Sequence, residues 1–230
     1  MCRGTQSCTV LGNNPNKWSK EVPLTPPDWF DEQLTIFEKA VRLAASGDVT
    51  RARNQLGLIR NTDLKKWFIE HGQQSGVFRH RYLGKLKAKV VDLNHDPLKY
   101  PNKGLETTVF ERDGYRCRYC NLRLIPKNIF DVFSKVVGAD VFYPIGTHIQ
   151  RHGIVFTFRA NADHVVPHKV GGRTDLQNLV TCCWNCNFGK GPFTLEQIGL
   201  DDPRSRSVQK HDDWDGLIAL LPKLRSHAKR

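Results

Sequence analysis

Two pairs of cysteines at the C-x-x-C spacing, Cys117/Cys120 in "RCRYCN" and Cys183/Cys186 in "CCWNCN", constrain this chain more than any other feature. A C-x-x-C turn brings two sulfurs to one point while the backbone folds around them. Two such turns supply the four thiolates that a structural zinc prefers. Because the pairs lie far apart in sequence, one ion would tie the start of a module to its end. Cys2, Cys8 and Cys182 fall outside the spacing, and seven cysteines in all argue against a closed disulfide framework. The alternative is four buried, inert cysteines, and the paired spacing weighs against it.

A second kind of ligand stands close by, in "ADHVVPHKVGGRTDLQNLVTCCWNCNFGKG" from Ala162 to Gly191. A shell of four thiolates has no open position, so that zinc cannot activate water. Any reacting metal is therefore a second one. The Asp163 carboxylate and the Asn187 side-chain carbonyl are hard oxygen ligands that suit Mg²⁺. Together they neutralise half of its charge and leave the rest to attract a phosphodiester oxygen. Each residue also has a plain structural role open to it. Asp–His neighbours often satisfy one another, and asparagines often form turns or cap helices.

Taken together, the elements "DHVVP", "GG", an asparagine and "C-x-x-C-N-x-x-K-G" resemble the HNH endonucleases in kind and order. The resemblance covers roughly residues 105–191. It implies an α+β chain: a helical N-terminal region joined to a zinc-stapled ββα-metal module of HNH, treble-clef-like form. It implies His164 as general base, Asp163 and Asn187 as ligands of a catalytic Mg²⁺ (Mn²⁺ or a similar ion can substitute), and Asn178 as the middle polar residue holding the loop. The family's zinc knuckles fall on Cys117, Cys120, Cys183 and Cys186. Neutral imidazole can take a proton from water near neutral pH, and the expected ring partner is a backbone carbonyl. Implied, then, is a Mg²⁺-dependent endonuclease acting on DNA, with restriction or phage defence as its setting. A non-catalytic zinc-stabilised DNA-binding module and an RNA-cleaving relative remain the alternatives.

The chain departs from the family in three places. A long stretch, 121–160, separates the first knuckle from Asp163. Gly189, Gly191 and Pro192 call for a short or broken final helix. Cys182 makes the second pair ambiguous on paper, and only Cys183 with Cys186 has the right spacing. Lys190 and Arg173 are candidate phosphate contacts, and His168 reads as a surface histidine near the site.

The rest of the chain divides by texture. Residues 1–76 form a helical region in which Phe30, Leu34, Phe37, Val41 and Ala44 share one helical face behind an Asp28 N-cap. Two shorter helices end at Gly57 and Gly72. Residues 77–104 are a basic linker or DNA-binding arm, with Lys85, Lys87 and Lys89 alternating along one edge. Residues 105–200 form the nuclease module, including a helix in "PKNIFDVFSKVVG", a strand in "GIVFTFRANADHVV" with Ile154, Phe156 and Phe158 on one side, and a second strand in "NLVTC". Residues 201–230 add a C-terminal helix and basic tail. A net charge of +12 favours a polyanionic partner, and the N-terminal region could serve a protein partner or self-association. No apolar run suits a signal peptide or a membrane span, which favours a cytoplasmic location and no membrane partner.

Overall fold

The N-terminal region folds as its glycines and apolar spacing dictate. In a computed structural model that describes residues 8–84, 100–147, 150–208 and 213–228, helix α1 (Trp29–Ala45) buries Phe30, Leu34, Phe37, Val41 and Ala44. Gly47, at φ 87°, turns the chain out of it. Asp28 occupies the N-cap position, but its side chain makes no capping bond, and Asp31 and Glu32 supply the first-turn acids. Helix α2 (Val49–Leu56) starts at Asp48, whose carboxylate accepts from Arg51 N. Helix α3 (Asn61–Trp67) continues into a π-helical turn, Phe68–Gly72.

The linker expected from residue 77 begins as a helix. Helix α4 (Ser75–Leu83) crosses that boundary, and Gly76 lies directly on Gly189, where a Cβ would come within 1.8 Å of the carbonyl oxygen. Arg79, which falls inside that 77–104 stretch, is buried. It donates to the backbone carbonyls of Ser19, Val22, Pro23 and Ile198 and clamps three segments together. A guanidinium's fork of donors can serve as a structural tie as readily as a phosphate contact. Lys85, Lys87 and Lys89 lie outside the described residues.

Helix α5 (Lys103–Arg112) leads into the first knuckle, and helix α6 (Lys127–Val137) ends at Gly138 as its sequence predicts. The next element differs from expectation. Gly153–Phe158 is a short helix, α7, not a strand, and all six of its residues are buried. An apolar alternation identifies a strand only when the other face is wet. With every side chain inside, the periodicity carries no information about type. His152 starts this helix, its ring nitrogen accepting from Ile154 N at 3.3 Å.

Strand β1 (Ala160–His164) then pairs antiparallel with β2 (Leu179–Cys183), Asp163 opposite Val180 and His164 opposite Leu179. Helix α8 (Trp184–Lys190) follows at once, with Cys183 as its N-cap. It is short, as the glycines require, and ends at Gly191 with φ 56°. Helix α9 (Leu195–Ile198) and the C-terminal α10 (Leu221–Ala228), with Arg225 and His227 in its last turn, complete the chain. One apolar cluster includes Phe37 of α1, Phe130 of α6, Leu179 of β2 and Leu224 of α10, so the N-terminal helices and the ββα unit share a core. Among the described residues, no helix is long and apolar enough to cross a membrane.

His152 gives this core a pH dependence. Burial, reinforced by the Lys65 ammonium, pulls its pKa down to about 3. An unfolded histidine takes up a proton below about 6.5. Between those values the unfolded chain binds the extra proton, so stability falls as the pH is lowered, by about 1.4 kcal/mol per unit. Melting curves at pH 7 and pH 5 should show this loss. His152→Asn, which keeps a capping side chain, should show a smaller one. Equal acid sensitivity in both proteins would assign the loss to other groups.

Candidate metal centre and catalytic cleft

The two knuckles meet. The sulfurs of Cys117, Cys120, Cys183 and Cys186 all lie within 4.8 Å of one another, and Cys120 Sγ is 3.8 Å from Cys183 Sγ. A tetrahedron built on zinc–sulfur bonds of about 2.3 Å has edges of about 3.8 Å, so the cluster is of the right size for zinc. Backbone bonds fix the first knuckle: Cys117 N donates to Leu122 O at 2.9 Å, and Arg118 N to Thr181 O at 2.8 Å, which seats it on β2. Buried Asp113 reinforces this, accepting from Thr181 N at 2.7 Å and from Arg112. Cys182 is buried on the adjacent strand position, outside the four-sulfur group, and its thiol donates to Cys183 O at 3.3 Å.

The oxygen and imidazole groups gather elsewhere, around a cleft of about 350 Å³. Asp163, His164, His168, Asn187, Asn161 and Glu106 all line it. His164 Nε2 lies 2.9 Å from Thr174 Oγ1. His168 is half-buried, its ring centroid 5.9 Å from that of His164. Asn178 sits behind the cleft and holds the β1–β2 loop. Its Oδ1 accepts from Val166 N at 2.9 Å, while Nδ2 donates to Val166 O at 3.0 Å and to Arg173 O at 2.9 Å. Gly172 permits this closure, since a Cβ there would come within 1.8 Å of Val166 O.

Asp163 is only 7% exposed and already has protein partners. Tyr119 donates its hydroxyl to Oδ2 at 3.0 Å, and Lys190 Nζ lies 3.4 Å from both oxygens. Burial pushes the Asp163 carboxyl above its usual range, against the opposing pull of the Lys190 ammonium and the Tyr119 hydroxyl. Tyr119 lies inside the first C-x-x-C turn, so the cysteine cluster also positions Asp163. Lys190 is 1% exposed and faces this carboxylate; a contact to bound phosphate requires it to leave its partner. Arg173 is mostly exposed, 3.5 Å from Asp175. Neither Thr174 nor Tyr119 was singled out by the sequence. A lone hydroxyl in "GGRTD" carries no signal. For Tyr119 the signal was its place between two zinc-ligand candidates, where the tight turn fixes its direction.

The Thr174 contact has a kinetic consequence if His164 takes a proton. Thr174→Val keeps the shape and removes the hydroxyl, which is worth up to about tenfold in rate for one neutral hydrogen bond. Thr174→Ser should retain most of the activity. Equal rates for the valine and serine variants would show that the hydroxyl does not hold the ring.

Searches among curated proteins and among solved structures return no match to the chain. A family model described as HNH endonuclease does match, over residues 153–193, the span from α7 through β1, β2 and α8.

Proposed function

We propose that this protein is a Mg²⁺-dependent endonuclease that hydrolyses DNA phosphodiester bonds with His164 as general base. The observation that carries the reading is the convergence of Asp163, His164 and Asn187 on one cleft beside a separate four-cysteine cluster. Neutral His164 takes a proton from water, whose oxygen bonds to phosphorus as the P–O3′ bond breaks. The leaving 3′-oxygen takes a proton from solvent, so the products are a 5′-phosphate and a 3′-hydroxyl. Thr174 limits rotation of the imidazole, and Asn178 keeps the β1–β2 loop at fixed distance from β1.

The donor set fits a hard divalent cation in kind, a carboxylate with a carboxamide oxygen. Asp163 and Asn187 would hold it, and it would stabilise charge on the phosphate and the leaving oxygen. Lys190 bears on this directly. Its ammonium already neutralises Asp163, and it must move aside or share the carboxylate when a cation binds. The same pairing favours a second reading, a non-catalytic zinc-stapled module that binds nucleic acid, in which the Asp163–Lys190 pair is purely structural. Cys117, Cys120, Cys183 and Cys186 hold structural zinc in either case.

Incubating the purified protein with supercoiled plasmid, in Mg²⁺ or in chelator, separates the two. Nicked or linear product in Mg²⁺ alone is expected. Retarded but uncut plasmid under both conditions would favour the binding module.

A further inference from the structure

Most inward-facing arginines of this fold are occupied by internal acceptors. Arg79 serves four backbone carbonyls. Arg112 pairs with Asp113 and two carbonyls. Arg118 reaches the carbonyls of Pro203 and Arg206. Arg151 and Arg159, which flank α7, are different. Both guanidiniums pack on one indole, 4.7 Å and 5.3 Å from the Trp184 ring centroid. The Nε of each is buried with no hydrogen-bond partner among the described residues. Arg151 gives one bond to Gly146 O at 3.0 Å, and neither makes an ion pair among the described residues.

Two like charges brought to one ring and half removed from water are costly. Burial lowers the pKa of both, and Arg151 lowers that of Arg159 further, with Glu106 and Asp131 opposing. The cation–π contacts offset part of that cost, and an anion shared by the pair would offset more. The position is suggestive as well. Trp184 donates its Nε1–H to Asn161 Oδ1 at 2.7 Å, and Asn161 lines the cleft of His164 and Asn187. Trp184 lies three residues before Asn187, about 4.5 Å along a helix axis. Phosphates of one duplex strand succeed each other every 3.4 Å or so of rise. Phe188, 44% exposed and 5.6 Å from Trp184, adds an apolar wall open to solvent.

We propose that Arg151 and Arg159, held on Trp184, form a phosphate subsite for the nucleic-acid backbone next to the phosphate that is cut. The subsite rests on the nuclease reading for its ligand. It replaces Lys190, whose ammonium faces Asp163, as the source of backbone contacts on this side of the cleft.

The test is DNA affinity of the full-length protein, measured by fluorescence anisotropy on a labelled duplex without divalent ions, across a series of salt concentrations. Each phosphate contact contributes about 0.9 to the slope of log affinity against log salt. Arg151→Gln with Arg159→Gln should lower the slope by about one to two and weaken binding about tenfold or more at low salt. The doubly lysine-substituted protein should keep most of the slope. Zinc content and melting temperature report whether the double variant folds. If it does not, Arg151→Gln alone should lower the slope by about one. An unchanged slope in a folded variant overturns the subsite and leaves the nuclease reading intact. A wild-type protein with no salt-dependent DNA binding overturns both.

Discussion

Cys183→Ser should abolish folding of the ββα unit. Cys183 is a zinc-ligand candidate, the last residue of β2 and the N-cap of α8, where its sulfur accepts from Cys186 N at 3.3 Å. A serine hydroxyl can still cap, so the capping role survives the change and the thiolate is lost. Structural zinc contributes roughly 10–16 kcal/mol in small zinc-dependent folds, comparable to the whole stability of a typical domain, about 5–15 kcal/mol. Losing one ligand of four should therefore release the metal and remove the cooperative melting transition. Cys182→Ser is the control, one residue away and outside the four-sulfur group. It should keep its zinc and melt within a few degrees of wild type. Metal content by elemental analysis, with a melting curve for each protein, decides the matter. A Cys183→Ser protein of wild-type stability without zinc would contradict the assignment.

His164→Ala should reduce cleavage by about 10² to 10⁴ while sparing the fold, the zinc and DNA binding. Proton transfer by a positioned base typically contributes that much. The ring is half-buried at the cleft, whereas Asp163 is buried, so removal of the ring leaves the shared core intact. His168 lines the same cleft, its ring centroid 5.9 Å from that of His164. Rates under single-turnover conditions, with affinity measured separately, distinguish a lost base from a lost binding contact. A variant that cuts at the wild-type rate would remove His164 from the chemistry.

What the sequence made legible was whatever strict geometry imposes. The four cysteines could be placed together because zinc tolerates one arrangement of sulfurs, and α8 could be foreseen as short because Gly189 and Gly191 stand at its end. β2 was readable in "NLVTC" because polar "TDLQN" precedes it and the knuckle follows. α7 was not, because a segment buried on every side shows no wet face to set its period. Burial of charge was equally hidden. Arg79 and Lys190 look like any other basic residues in the sequence, and their fates depend on acceptors distant in the chain: carbonyls of Ser19, Val22, Pro23 and Ile198 for one, Asp163 for the other. Thr174 was illegible for a related reason. Its position beside His164 is produced by a loop that Asn178 and Gly172 close.

The central claim, that Asp163, His164 and Asn187 act at one metal-dependent hydrolytic site, is tested most directly by a Mg²⁺ titration of plasmid cleavage. Wild type, His164→Ala and Asn187→Ala would be compared in parallel time courses. Wild type should be inactive in chelator and saturate as Mg²⁺ rises. Asn187→Ala, short of one metal ligand, should need more Mg²⁺ and regain part of its activity at the highest concentrations. His164→Ala should remain slow throughout, since added metal cannot replace a base. Cleavage by wild type in chelator, or a His164→Ala protein restored by Mg²⁺ as fully as Asn187→Ala, would contradict the account.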